Sequence, residues 1–373
     1  MFRYKIKHPI DLIRPFILQP LCWKGNNFLT TRSRKKFFLS FGDAITCILK
    51  QYKCSPEKDI VLMPNFFCTE TLTVISRFLN IIFYKINDDF SIDTKNYFEQ
   101  IERHKPRVIW NYNFLGIPFT EAERKKIKDL CAEETIIIED AAHYILHQEE
   151  IHAINSHHFY IDSIRKHSSF LGSHLINANF IPQKDMVENW NIYKTKACFY
   201  RLTQNFIDFC FYFSNAKLFS ILGNNIFLTL NDIIGNYSRP TLGENVSYFG
   251  YGLLDLQKIR KHNKNLALIY NHYFQKLKTP LIKTLPNEVI KKSRLTSYYP
   301  LFVEKSILRL LEQYLEKNGI FASQLWKIEN YYSGLNENLY DSFIVFPLTW
   351  LIQEKEIIYS YKKMKEFFQN HKQ

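Results

Sequence analysis

Acidic, hydroxyl and amine side chains follow two apolar segments near the middle of the chain. Residues 135–138 are apolar and lead towards Asp140, and residues 158–161 lead towards Ser163 and Lys166. An aspartate can keep a pyridine nitrogen protonated, a serine can bind a phosphate, and a lysine can form a Schiff base with an aldehyde. These residue types in this order predict a site for pyridoxal phosphate, with Asp140, Ser163 and Lys166 as its binding residues.

Short apolar segments alternate with helical segments over the first part of the chain. Strand patterns cover residues 37–41, 59–63, 81–86, 107–111 and 135–138, and helical patterns cover residues 42–52, 68–79, 97–104 and 121–132. This alternation predicts an α/β fold with a mostly parallel sheet covered on both faces. Ligands of such sheets bind beyond the carboxyl ends of the strands. Because Asn111, Asp140 and Ser163 each follow the apolar part of a strand, we expect them at one edge of the sheet.

The pattern changes after about residue 245, where a smaller α+β unit begins. Strand patterns cover residues 298–303 and 344–348, and helical patterns cover residues 253–277, 306–318 and 354–368. We therefore expect a large α/β domain over residues 37–245, which binds the cofactor, and a small C-terminal α+β domain over residues 246–373. Residues 1–36 contain several prolines and few periodic apolar positions, so they are expected to form an N-terminal arm.

The net charge and the cysteines limit the class of protein. Lysine and arginine exceed aspartate and glutamate by 49 − 36 = +13, which favours anionic partners but is equally typical of a basic surface facing solvent. The sequence contains no nucleic-acid-binding signature, so no nucleic acid is expected as a partner. The seven cysteines are odd in number and lack CxxC spacing, which favours a reducing, cytoplasmic location. The N-terminus has no apolar core of a signal peptide.

Residues 206–234 are rich in phenylalanine, leucine and isoleucine. Asp208, Lys217 and Asp232 interrupt this stretch, so a surface or subunit-contact helix is favoured over a membrane-spanning one. Peripheral membrane contact through the stretch stays an open alternative. His143 and His147 have the i,i+4 spacing of two zinc ligands on a helix, but no HExxH motif and no nearby cysteine accompany them, so no metal site is expected.

The order of these motifs resembles that of the DegT/DnrJ/EryC1/StrS aminotransferases, which are fold-type-I pyridoxal-phosphate enzymes acting on nucleotide-linked keto sugars. Residues 138–143, Ile-Glu-Asp-Ala-Ala-His, are the closest match, and residues 163–166 fit the lysine segment. Residues 41–45 are similar to the turn that opens a helix in the family, residues 113–118 to its His-Tyr-x-Gly-x-Pro turn, and residues 300–326 to its late strand, helix and Gly-Ile turn.

The resemblance implies roles around the cofactor ring. Lys166 is then the catalytic lysine, Asp140 faces the ring nitrogen, and His143 bonds the ring oxygen. The family places an aromatic residue over the ring where this chain has Cys68, so a neighbouring phenylalanine, Phe66 or Phe67, would stack there instead. From the residues alone, Lys166 is also readable as an exposed lysine after a strand, and Asp140 as a helix N-cap.

The resemblance also places the cofactor phosphate at a helix N-terminus. Backbone N–H groups of Gly42, Asp43 and Ala44 would bind it there. Asp43 adds a second negative charge, so a plain helix-capping aspartate is the alternative. The family has an Asn-Tyr-Arg segment that reaches the phosphate from the partner subunit. Here it corresponds to residues 248–253, which contain neither asparagine nor arginine.

The fold implied is a fold-type-I transferase with a large, mostly parallel α/β/α sheet domain and a smaller C-terminal α+β domain, assembled as a homodimer. The implied activity is transfer of an amino group from an amino acid, glutamate or glutamine, to a nucleotide-linked keto sugar. Such a reaction serves amino-sugar or surface polysaccharide biosynthesis. The altered positions leave an alternative, which is a catalytically eroded protein of the same fold that acts as a binding or scaffold protein.

Overall fold

The computed structural model describes residues 35–112, 114–146, 150–166, 168, 170–214, 240–243, 254–294, 297–326, 332–349 and 352–370, and the separate positions 222, 225–226, 229–230, 233, 247, 252 and 328. Apart from Lys35 and Lys36, the predicted arm lies outside these residues. So do most of residues 248–253 and Asn113 and His147. Lys35 and Lys36 belong to the first strand, so the sheet begins inside the range predicted for the arm.

A large, mostly parallel sheet forms the first part of the fold. Its strands are β1 (Lys35–Phe38), β2 (Ile60–Pro64), β3 (Asn80–Tyr84), β4 (Val108–Asn111), β5 (Ile136–Ala141), β6 (His158–Asp162) and β7 (Ser173–Ile176). They lie in the order β1-β7-β6-β5-β4-β2-β3, and β7 is antiparallel to both of its neighbours. The predicted α/β architecture with a mostly parallel sheet is confirmed.

Helices connect the parallel strands and cover the sheet. They are α1 (Phe41–Gln51), α2 (Thr69–Ile75), α3 (Thr94–His104) and α4 (Glu121–Leu130), followed after β7 by the long α5 (Ile192–Ser214). Helix α3 begins before the predicted residue 97 because the Asp93 side chain accepts a hydrogen bond from the N–H of Asn96 and caps the helix. Thr120 and Glu123 form a reciprocal capping box that fixes the start of α4.

Strand register decides which side chains share a face of the sheet. Asn111 pairs with Glu139 across β4 and β5, and its amide donates to the Glu139 carboxylate over 3.0 Å. Successive side chains alternate between faces, so Asn111 and Glu139 lie on the face opposite Trp110 and Asp140. Asn111 and Asp140 thus lie at the same edge of the sheet, as expected, with their side chains on opposite faces.

The C-terminal part is built around a three-stranded antiparallel sheet. Its strands are β8 (Ile282–Lys283), β9 (Tyr298–Val303) and β10 (Phe343–Pro347), in the order β10-β9-β8. The helices are α6 (Leu256–Gln275), α7 (Asn287–Lys292), α8 (Lys305–Lys317), α9 (Glu337–Tyr340) and α10 (Glu354–Asn370). Gly319 has a φ of +71°, as expected of the residue that ends a helix such as α8.

The apolar core runs without interruption from the large sheet into the C-terminal part. One cluster of buried residues includes Phe38 and Ile138 of the large sheet together with Tyr299 and Phe346 of the small one. The boundary near residue 245 therefore stays a prediction. In the part of the chain that is described, no helix has the length and apolarity needed to cross a membrane.

Candidate active site

The carboxyl ends of β5 and β6 position the predicted acid and lysine. Asp140 lies near the end of β5, and Lys166 ends a single 3-10 turn, Ile164–Lys166, that follows β6. The N–H of Ile164 donates to the Gly172 carbonyl, so the loop after Lys166 folds back on the turn. Gly172 has a φ of +133°, and a Cβ there would come within 2.1 Å of the Phe37 ring. Only glycine fits this close approach.

Asp140 is buried and held by two donors. Its Oδ1 accepts from the N–H of Ala142 over 2.9 Å, and its Oδ2 accepts from the indole N–H of Trp110 over 3.2 Å. Burial raises the pKa of Asp140 to about 6, although these hydrogen bonds and the positive charge of Lys166 oppose the rise. The carboxyl is therefore ionised at neutral pH and bonded at both oxygens.

Lys166 lies close enough to Asp140 for their charges to affect one another. Its side chain keeps some exposed surface, but its amine lies deep enough among protein atoms that burial lowers its pKa to about 8. The charge of Asp140 opposes this fall, and the neighbouring Arg165 adds to it. A lysine with a lowered pKa has a larger neutral, nucleophilic fraction at physiological pH than an exposed one. The reading of Lys166 as an ordinary exposed lysine does not fit this environment.

His143 contacts Lys166 directly. Its Nε2 lies 2.8 Å from the Lys166 Nζ, and its carbonyl accepts from the Ser297 hydroxyl of the C-terminal part over 3.0 Å. Aromatic rings surround the imidazole, with centroid distances of 5.5 Å to Tyr298, 5.6 Å to Trp326, 5.9 Å to Phe114 and 6.1 Å to Tyr112. The imidazole is thus fixed between the two sheets, with one nitrogen on the lysine.

The two phenylalanines predicted to cover the ring lie in the wall of the site. Phe66 packs into the core at 4.9 Å from both Trp326 and Tyr340. Phe67 is edge-on to Tyr112 at 5.0 Å, and Tyr340 brackets its backbone with two hydrogen bonds. Cys68 precedes α2, and burial raises the pKa of its thiol, so it is neutral at physiological pH. The stacking role of Phe67 and the place of Cys68 beside the ring stay predictions.

The N–H groups in the first turn of α1 already make hydrogen bonds that the sequence does not reveal. Ser40 is the N-cap, because its hydroxyl accepts from the N–H of Asp43, and the Ser40 carbonyl accepts from the N–H of Ala44. Binding of a phosphate by the N–H groups of Gly42, Asp43 and Ala44 stays a prediction. It would require the Asp43 and Ala44 N–H groups to share the hydrogen bonds that they now make to Ser40. At Gly42, a Cβ would meet nothing closer than the Ser40 hydroxyl at 3.7 Å, so space is open beside this turn.

The Asp43 carboxyl has a structural role. It accepts from the Ser40 hydroxyl over 2.5 Å and from the backbone N–H of Thr241 over 3.0 Å. Burial raises the pKa of Asp43 to about 7. The reading of Asp43 as the capping residue of α1 is wrong, because Ser40 caps the helix. Asp43 instead attaches residues 240–243 to it.

Ser163 is buried between β6 and the lysine turn, and its carbonyl accepts from the N–H of Lys166 over 3.1 Å. Its predicted contact with a phosphate stays a prediction. The loop after the lysine is also held by a residue that the sequence did not reveal. Arg201 of α5 is buried and donates to the carbonyl of Ser168 over 3.2 Å. Among the described residues, no three histidine, cysteine or acidic side chains are grouped as metal ligands.

No protein-family model and no curated protein sequence matches this chain. Solved structures do match. A Streptococcus pneumoniae protein described as the sugar aminotransferase Spr1654, in its PMP form, superposes with a TM-score of 0.60 at 15% identity, over 99% of this chain and 99% of that chain. The chain has the fold of pyridoxal-phosphate-dependent aminotransferases.

Two further matches have the same fold. The sugar aminotransferase CalS13 from Micromonospora echinospora matches with a TM-score of 0.56 at 12% identity, over 89% of this chain and 87% of that chain. A NifS-like protein from Rickettsia africae matches with a TM-score of 0.58 at 12% identity, over 97% of this chain and 88% of that chain. At sequence identities this low, the matches support a shared fold and nothing more specific. The predicted fold class is confirmed.

The residues present in this aminotransferase fold suit pyridoxal phosphate. An ionised acid is held at the end of β5, and an amine with a lowered pKa lies in the same pocket. The hydroxyl of Tyr112 is buried beside them and has no hydrogen-bond partner in the described part of the chain. A buried polar group without a partner is costly, so a polar ligand in this pocket would relieve it.

Proposed function

We propose that this chain is a pyridoxal-phosphate-dependent aminotransferase that moves an amino group from an amino acid to a nucleotide-linked keto sugar. The observation that carries the proposal is that Asp140 and Lys166 lie close enough for each charge to alter the pKa of the other, with the Lys166 amine held 2.8 Å from His143. Pyridoxal phosphate, when bound, supplies an electron sink for the bond-breaking steps at the amino acid. The protein has to supply a proton acceptor, a proton donor and a fixed orientation.

Asp140 and Lys166 have complementary tasks in this proposal. The Asp140 carboxylate, fixed by Trp110 and Ala142, would hold a proton on the ring nitrogen. Lys166, with a pKa of about 8, both bonds the cofactor as an amine and carries a proton to and from the substrate carbon. His143, at 2.8 Å, would orient the amine. Near-neutral pKa values suit both directions of proton transfer.

The substrate class rests on the resemblance and on charge. Arg165 lies next to Lys166, and its guanidinium stays charged at physiological pH although burial lowers its pKa, so a cation lies beside the proposed lysine. The net charge of +13 would help recruit a diphosphate-linked sugar. Two of the matching proteins are described as sugar aminotransferases. Glutamate or glutamine is the proposed amino donor, and amino-sugar or surface polysaccharide biosynthesis in the cytoplasm is the proposed setting.

A second copy of the chain is the proposed partner, and α5 carries its contact surface. The outward side chains Phe199, Leu202 and Phe206 are 65%, 69% and 65% exposed, whereas the inward Arg201 and Gln204 are buried. Ala197 and Ile207 are also buried on the inner face, so the exposed side chains form a second apolar surface, which is typical of a helix that is covered in the assembled protein. Peripheral membrane contact is the competing explanation, and much of the predicted stretch 206–234 lies outside the described residues.

The decisive experiment is an absorbance titration with pyridoxal phosphate. The purified protein is expected to turn yellow and to transfer an amino group from glutamate or glutamine to a keto-sugar nucleotide. Lys166→Ala is expected to abolish the yellow absorbance and the transfer. Lys125→Ala, at an exposed position of α4, is the matched control and should keep both. A wild-type protein that never bonds the cofactor through Lys166 would overturn the proposal.

The eroded scaffold protein is the second candidate. It is favoured by Cys68 at the position of the stacking aromatic residue and by the bonds that occupy the first turn of α1. The same titration separates the two functions. Absence of pyridoxal phosphate binding would favour the scaffold, whereas binding followed by amino transfer would exclude it.

A further inference from the structure

Tyr112 lies at the centre of the proposed site, although no motif points to it. It is the first residue after β4, and Phe67, which its ring contacts, also lies edge-on to the ring of Trp110 at 5.7 Å. Its ring lies 5.0 Å from that of Phe67, 6.0 Å from that of Trp326 and 6.1 Å from that of His143. Only 2% of Tyr112 is exposed.

The Tyr112 hydroxyl differs from those of other buried tyrosines. Four of them donate to an acceptor: Tyr84 to the Trp110 carbonyl at 3.0 Å, Tyr97 to Asn111 at 2.6 Å, Tyr299 to Asn271 at 2.7 Å and Tyr340 to the Phe67 carbonyl at 2.6 Å. Within the described residues, the Tyr112 hydroxyl is buried and has no such partner. Buried hydroxyls are normally bonded, so this one is poised for an acceptor that arrives from outside the chain.

The groups around the hydroxyl show where it lies relative to the proposed site. Burial, and then the negative charge of Asp140, raise the pKa of Tyr112 far above its ordinary value. Asp140 is the proposed partner of the ring nitrogen. The hydroxyl thus lies close to the acid, and the ring of Tyr112 contacts His143, which lies 2.8 Å from the lysine. It stays protonated at physiological pH, so it acts as a donor and requires an acceptor.

We propose that Tyr112 is a binding residue whose hydroxyl donates a hydrogen bond to an oxygen of the pyridoxal phosphate held between Asp140 and Lys166. The inference rests on the proposed function. The unbonded hydroxyl lowers the stability of the free protein, and it raises the affinity for the ligand, which completes its hydrogen bond. The free and loaded forms should therefore respond to loss of the hydroxyl in opposite directions.

Tyr112→Phe tests this by thermal unfolding with and without pyridoxal phosphate, and by absorbance titration. In the free protein the variant should unfold at the same or a higher temperature than the wild type, because an unbonded buried hydroxyl has been removed. Its affinity for pyridoxal phosphate should fall about three- to tenfold. The rise in unfolding temperature that the ligand produces should shrink accordingly.

Tyr299→Phe is the matched control, because its hydroxyl is buried but bonded to Asn271 in the C-terminal part. It should lower the unfolding temperature of the free protein and leave the affinity unchanged. If Tyr112→Phe behaves in the same way, its hydroxyl has a structural partner and the inference is wrong. If the variant binds the cofactor as tightly as a binding-competent wild type, only the inference fails. If the wild type itself does not bind, the proposed function and the inference fail together.

Discussion

The indole N–H of Trp110 donates a hydrogen bond of 3.2 Å to Oδ2 of Asp140. Trp110 is completely buried, and Trp110 and Asp140 lie on neighbouring parallel strands. A hydrogen bond from a neutral donor favours the ionised form of a carboxyl, and here it opposes the effect of burial. Trp110 therefore positions Asp140 and holds the pKa of its carboxyl below the value that burial alone would give.

Trp110→Phe should raise the pKa of Asp140 and weaken cofactor binding in a pH-dependent way. A bond to a charged group contributes about 1.5–3 kcal/mol, which corresponds to about one to two pH units. Because the ionised carboxylate holds the ring nitrogen, affinity should fall as the pH drops through the pKa of Asp140, about 6 in the wild type. The midpoint should lie higher in the variant. The measurement is the affinity for pyridoxal phosphate across this pH range.

Asp140→Asn is the control for this experiment, because an amide cannot ionise and the pH dependence should vanish. An unchanged midpoint in Trp110→Phe would contradict the positioning role of the indole. A general loss of affinity at every pH, with the midpoint in place, would show that the ring of Trp110 matters for packing and its N–H does not matter for Asp140.

The sequence predicted the positions of Asp140 and Lys166 for a local reason. Each follows an apolar strand, and in a parallel sheet the carboxyl ends of the strands meet at one edge. The same reasoning placed Asn111 at this edge but did not predict its face; Asn111 pairs with Glu139 and therefore lies on the face opposite Asp140. Register between strands therefore carries information that strand ends alone do not.

Contacts between residues distant in sequence were beyond prediction. The direction of the Asp43 carboxyl is set by Thr241, and the surroundings of His143 are completed by Ser297 and Trp326. No local pattern joins these segments, because their meeting depends on how the C-terminal part packs on the large sheet. Tyr112 was missed for a related reason, since its unbonded hydroxyl becomes visible only when all neighbours are in place.

Asp43→Asn should remove a pH dependence of stability. The carboxyl has a pKa of about 7 in the folded protein and 3.8 as its ordinary value, so between these values the folded protein keeps a proton that the unfolded chain has lost. Stability therefore decreases as pH rises through this window, by up to about 4 kcal/mol. An asparagine keeps an acceptor for the Thr241 N–H and has no charge to bury.

Urea unfolding at about pH 5 and about pH 8 measures this effect, because the difference between wild type and variant isolates Asp43 from the other titrating groups. The variant should gain stability relative to the wild type at the higher pH. If the free energy of unfolding changes equally with pH in the two proteins, the Asp43 carboxyl ionises in the folded state as it does in the unfolded chain. That result would refute the buried arrangement with Ser40.

Two substitutions should move the pKa of Lys166 in opposite directions. Asp140 raises it and Arg165 lowers it, while burial accounts for most of the fall to about 8. Asp140→Asn should lower the pKa of Lys166 further by about one unit, and Arg165→Met should raise it. The readout is the pH dependence of acylation of Lys166 by acetic anhydride in the cofactor-free protein, followed by peptide mass spectrometry. Shifts of the same sign would refute the shared pocket.

Leu202→Glu should separate the two proposed subunits. Leu202 is 69% exposed on the outer face of α5, and a charge there would be buried in any interface that covers this face. We expect a dimer for the wild type and a monomer for the variant in analytical ultracentrifugation. Leu310→Glu is the matched control, because Leu310 is 52% exposed on α8 and lies outside the α5 surface.

Co-sedimentation with anionic liposomes distinguishes the alternative partner. If the wild type is a monomer that sediments with liposomes, and Leu202→Glu abolishes this while Leu310→Glu does not, the outer face of α5 binds lipid and not a second copy. If the Leu202→Glu variant is still a dimer, the subunit interface lies on a surface other than the outer face of α5. Because Arg201 on the inner face of α5 holds the loop after Lys166, loss of the partner should also weaken cofactor binding, which links assembly to the site.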